Sequence, residues 1–107
     1  MALTREFRQT ITARLERDPA FARSLFDEAA SLFLNGEAEP ARLVLRELVN
    51  ATVGFEALAR ATRTPSKSLH RMLSSSGNPS MDNLATIFRA LGKKLKLGIA
   101  VRTIKAA

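Results

Sequence analysis

Twenty residues near the middle of the chain, GFEALARATRTPSKSLHRML from Gly54 to Leu73, leave few choices in how they fold. Phe55, Leu58 and Ala59 recur at helical spacing on one face of a first short segment, and Leu69, Met72 and Leu73 on one face of a second. Only Ala61 to Thr64 separates the two, which leaves room for a tight turn. Pro65 suits a helix start, where its missing N–H has no partner to lose. Two helices set against each other across such a turn bury their apolar faces together. The second then offers Ser66, Lys67, Ser68, His70 and Arg71 outward.

The flanking segments read as further helices and, at the last, one strand. Thr4 to Arg17 reads as a first helix, with Leu3 just before it and Phe7, Ile11 and Leu15 following at the same spacing along one stripe. Asp18-Pro19 is a helix start, the carboxylate accepting the first free N–H groups and the proline taking the first helical position. A helix from there to about Asn35 has the stripe Phe21, Leu25, Ala29, Leu32 and Phe33, with Asn35-Gly36 as a left-handed stop. Ala41, Val44, Leu45 and Leu48 give a third stripe ending near Asn50, and Thr52 and Gly54 are alternative caps for the next helix. After Leu73 the run SSSGNPS is dense in loop formers, and Ser80 can cap a helix with the stripe Leu84, Ile87, Phe88 and Leu91 that Gly92 would end. Leu95, Leu97, Ile99 and Val101 alternate with Lys94, Lys96, Gly98 and Ala100, the two-residue period of a half-buried strand. A lone strand leaves its backbone groups unpaired, so the expectation is a homodimer with antiparallel pairing through residues 94–102. A partner protein on this edge, or a frayed tail, are the alternatives.

The expected fold is thus mostly α, a helix-turn-helix bundle (residues 52–92) with extra N-terminal helices (1–51) and a C-terminal strand and tail (93–107). At 107 residues this is one domain, able to bury about two thirds of its unfolded surface. Absence of cysteine excludes a disulfide framework and a thiolate metal site. The opening MALTREFRQT has no apolar run of the signal-peptide kind, and nowhere do about 18 uncharged apolar residues follow one another. A cytoplasmic chain that does not span a membrane is expected.

The charge is unevenly placed. Residues 1–56 hold 7 basic and 9 acidic side chains, whereas residues 57–107 hold 10 basic and a single acidic one, Asp82. The overall +7 is therefore −2 in the first part and +9 in the second. A segment that basic around two crossed helices is the footprint of a polyanion binder. The alternative is that Lys93, Lys94, Lys96, Arg102 and Lys105 only keep the chain soluble.

The stretch resembles the helix-turn-helix of phage-repressor-like transcription regulators. Leu58-Ala59 in the first helix, Leu69 one turn into the second, and Asn78-Pro79 before the next helix carry the likeness, which covers roughly the last half of the chain. With the N-terminal segments added, the chain resembles addiction-module antidote proteins, the antitoxin partners of ribosome-dependent RNase toxins. Two positions depart from the repressor pattern: the turn glycine is Arg63, and the glutamine near the start of the first helix is Phe55. The resemblance implies that Ser66, Lys67, Ser68 and Arg71 touch bases.

On that reading the N-terminal turn of the second helix faces the major groove, with Ser66, Lys67 and Ser68 at base edges or adjacent phosphates and Arg71 one turn on. Arg60, Arg63 and Thr64 flank the turn and can hold backbone phosphate, as can Asn78 and Ser76 from the following loop. His70, the sole histidine, has no acidic or histidine neighbour in sequence, so a phosphate or surface role outweighs catalysis or metal binding. No carboxylate pair, metal-ligand spacing, nucleophile triad or phosphate-cradling glycine loop is present, so neither an enzyme nor a cofactor is expected. The expected function is a DNA-binding regulator of a palindromic operator, with a small basic toxin as a further partner implied by the resemblance. A protein-interaction adaptor that no longer reads DNA is the competing reading. RNA binding ranks third, since tyrosine and tryptophan stacking platforms are missing.

Overall fold

The computed structural model describes residues 5, 6, 9, 10 and 18–107. The expected helix from Thr4 to Arg17, with its stripe of Leu3, Phe7, Ile11 and Leu15, lies outside the described residues apart from those four positions, which are helical and exposed. Five helices follow: α1 (Pro19–Leu34), α2 (Ala38–Ala51), α3 (Phe55–Thr62), α4 (Ser66–Met72) and α5 (Met81–Leu95). None of the helices among the described residues is long and apolar enough to cross a membrane.

Helix α1 starts as its first two residues require. The Asp18 carboxylate accepts the Ala20 N–H at 3.1 Å and Pro19 stands at the first helical position. It ends at Gly36, whose φ of 85° lets the Glu37 N–H reach back to the Leu32 carbonyl at 2.8 Å. Its buried residues are Ala22, Phe26 and Ala29, with Phe21, Leu25 and Phe33 packed beside them. The buried face is thus rotated from the stripe that spacing alone suggests. The helix is apolar on two adjacent faces, and the aromatic ring of α5 decides between them. Phe88 lies 5.6 Å from Phe26 in a tilted pair and 5.8 Å from Phe33 edge-on, both favoured ring geometries.

Helix α2 packs along α1 and buries Ala41, Leu45, Leu48 and Val49. Thr52 turns its hydroxyl back onto the Leu48 carbonyl at 2.6 Å as α2 ends, and Gly54, rather than Thr52, stands at the cap of α3. Phe55 and Leu58 of α3, Leu69 of α4, Leu73 just beyond it, and Ile87 and Leu91 of α5 complete one continuous core with α1 and α2. Ser80 caps α5 by accepting the Asn83 N–H at 3.1 Å.

The last segment departs from expectation. Gly92 does not end α5; the helix runs on to Leu95 and stops at Lys96, which takes a left-handed φ of 60°. The Leu97 N–H then bonds the Gly92 carbonyl at 2.8 Å and the Lys96 N–H bonds the Lys93 carbonyl at 3.3 Å, the two bonds of a Schellman stop. Gly92 serves close approach. A Cβ there would stand 2.7 Å from the Leu97 oxygen and 3.3 Å from Cζ of Phe26. Residues 94 and 95 are therefore helical, residues 97–107 form no strand, and the described residues contain no β-sheet. Leu95 and Leu97 reach the core because the helix end folds back on itself, and that reversal imitates the alternation of a strand.

Candidate nucleic-acid interface

The site grows from the turn between α3 and α4. Arg63 adopts the left-handed conformation, φ 53° and ψ 39°, that the position demands. Lacking the freedom of glycine, it stores about 1 kcal/mol of strain. The Ala59 carbonyl accepts the N–H of Arg63 and, at 3.1 Å, that of Thr64. Thr64 donates its hydroxyl to the Thr62 carbonyl at 3.2 Å, so this side chain braces the turn. Pro65 stands at the start of α4, as its cap. Its carbonyl receives the N–H groups of Ser68 and Leu69 at 3.0 and 3.1 Å.

Leu69 and Leu73 are fully buried and Met72 packs against them, which fixes the rotation of α4. Lys67, His70 and Arg71 are consequently exposed, at the i, i+3 and i+4 positions of one face. Ser66 and Ser68 are only half exposed, so the five expected residues divide into three that project and two at the margin. His70 is further occupied: its ring lies 3.8 Å from that of Phe55, 19° from parallel. The imidazole is held by the core residue beneath it and is a packing group as much as a surface one. Phe55 is itself buried, which accounts for an apolar ring at this position.

Arg60, Arg63 and Asn78 are exposed, and Asn78 belongs to the loop that follows α4. That loop is tied from a distance. Arg42 on α2 donates from Nε to the Ser74 carbonyl at 2.9 Å and from Nη2 to the Ser75 carbonyl at 2.8 Å. Ser74 donates its hydroxyl to the Arg71 carbonyl at 2.7 Å, closing the end of α4. Gly77 lies so tightly over the same end that a Cβ would fall 2.2 Å from the Met72 oxygen and 2.6 Å from that of Arg71. The sequence carries a signal for Gly77 in its loop-rich run. Nothing marks Arg42, whose partners are backbone carbonyls more than thirty residues away.

A second basic surface lies apart from α4. An open groove of about 640 Å³ is lined by Ala61 of α3 and by Thr86, Arg89, Ala90, Lys93 and Lys94 of α5. Among the described residues no three His, Asp or Glu side chains gather where they would hold a metal ion. No family model, no curated protein and no solved structure matches the chain.

Proposed function

We propose that this chain is a sequence-specific double-stranded DNA-binding regulator that reads its site with α4. The supporting observation is the orientation of that helix: burial of Leu69 and Leu73 leaves Lys67 and Arg71 projecting together from the basic part of the chain. Arg71 suits guanine, because its planar fork can meet O6 and N7 at once, and Lys67 serves a neighbouring base or phosphate. Arg60 and Arg63 from the turn and Asn78 from the loop hold the phosphate backbone on either side. Ser66, Ser68 and Thr64 line the contact, and His70 supports it through Phe55.

A regulator of this type binds as a homodimer to a palindromic operator in the cytoplasm, each half-site taking one α4. Such a regulator acts on its own promoter, and the resemblance to antidote proteins adds neutralisation of a small basic toxin. The experiment is selection and sequencing of the DNA retained by the purified chain, followed by band shifts with the recovered site. A recovered palindrome whose binding falls steeply with salt supports the reading. Recovery of no motif overturns it.

The adaptor reading draws on one observation, the ring of Phe55 turned into the core where a phosphate-gripping side chain would otherwise stand. It predicts a stable complex with a protein partner and no specific band shift.

A further inference from the structure

Beyond Leu97 the chain leaves the core and runs as an extended arm over α1. Two grooves open between them, the larger about 630 Å³, lined from α1 by Asp27, Ser31 and Leu34 and from the arm by Ile99, Val101, Arg102 and Ile104. Four of the five exposed large apolar residues in the described chain line this one groove: Leu34 at 68% exposure, Ile99 at 45%, Val101 at 69% and Ile104 at 81%. Scattered exposed leucines or valines would need no explanation, but their collection in one concave place is the mark of a binding surface. Among the described residues no backbone hydrogen bond involves residues 98–107, so the arm also presents unpaired N–H and C=O groups.

Charge selects the occupant. Residues 24–40 contain Asp27, Glu28, Glu37 and Glu39, all exposed, and no basic side chain. Residues 96–107 contain Lys96, Arg102 and Lys105, all exposed, and no acidic side chain. Each chain thus carries both an acidic, apolar shelf and a basic, apolar arm, and the two complement each other. We infer that the groove between α1 and the arm seats the arm of a second copy of this chain, Val101 and Ile104 of one protomer packing on Leu34 of its partner while Arg102 meets Asp27. Exchange about a two-fold axis satisfies both copies at once, as an isologous interface requires. The arms pair their backbones across the axis over residues 98–104, which replaces the expected pairing that began at residue 94 inside α5.

The inference gives a surface to the dimer of the proposed regulator and rests on that reading only for the existence of a dimer. The test therefore omits DNA. Sedimentation equilibrium of the full chain at micromolar concentrations is expected to show a dimer. The V101D/I104D double variant should weaken self-association by at least about 30-fold, the loss of a hot-spot pair, with its helical circular dichroism unchanged. Asp27→Arg and Arg102→Glu should each weaken the dimer, and their combination should restore it. A monomeric parent chain overturns the inference and leaves the groove to another protein, and so does a dimer indifferent to all of these changes. A band-shift failure in a chain that still dimerises counts against α4 alone.

Discussion

The imidazole of His70 lies flat on the ring of Phe55, centroids 3.8 Å apart, and so couples the exposed face of α4 to a buried residue at the first position of α3. The stack holds the two helices of the turn in register from the solvent side, while Leu58 and Leu69 hold them from within.

Loss of either ring should register as stability. His70→Ala removes the stacking partner alone and is expected to cost about 0.5–1.5 kcal/mol. Phe55→Gln should cost about 3 kcal/mol or more, because it deletes a buried ring and leaves an amide in the core. Urea melts of the two variants measure both numbers. Equal stability of parent and Phe55→Gln would remove Phe55 from the core.

Arg63 offers a test whose sign is informative. Glycine relieves the left-handed strain of about 1 kcal/mol and gives back part of it through the greater freedom of the unfolded chain. Arg63→Gly is therefore expected to be neutral or stabilising, by at most about 1 kcal/mol, while a β-branched residue fits this conformation worst. Arg63→Val should lower the urea midpoint relative to both. If valine were tolerated as well as glycine, the turn would not be left-handed at this residue.

The helices were legible because their punctuation is local. Asp18-Pro19, Asn35-Gly36, Gly54 and Ser80 all act within a few residues of where they stand. What escaped depends on distant partners. Phe26 takes the centre of the α1 face because Phe88 is there to meet it, a choice made by α5 rather than by the period of α1. Lys96 ends α5 in a conformation glycine usually supplies, so the visible glycine, Gly92, suggests a stop it does not make. In the candidate site the apolar anchors Leu69 and Leu73 were readable from spacing, and with them the outward face of α4. The stack on His70 and the bracing of Thr64 are products of tertiary packing and of the turn, which spacing does not encode.

Arg42 should matter to the candidate site without touching a ligand. Its two charge-assisted bonds hold the Ser74 and Ser75 carbonyls, and through them the loop that carries Asn78. Arg42→Met keeps the aliphatic packing and removes the fork; as the pair is partly open to water, a loss of about 1–2 kcal/mol is expected. Amide exchange should accelerate across residues 74–80 before it does in α1 or α5. Uniform acceleration throughout the chain would mean that Arg42 supports the core rather than this loop. Gly77→Ala provides the complementary change: a methyl 2.2 Å from the Met72 oxygen forces the loop away and should destabilise by about 1–3 kcal/mol.

Base reading and phosphate holding separate by what each substitution does to sequence preference. Arg71→Ala deletes a fork that can pair with one base, so discrimination at that position should fall by about 1–3 kcal/mol while affinity for random DNA changes little. Lys93→Ala removes a charge from the α3–α5 groove, away from α4, and should weaken specific and random sites alike. The slope of log affinity against log salt should drop by about 0.9 if Lys93 neutralises one phosphate, and stay unchanged if that groove faces solvent in the complex. Parallel loss of specific and random binding in both variants would take base recognition away from α4, because a helix that only grips the backbone carries no sequence information in its arginine.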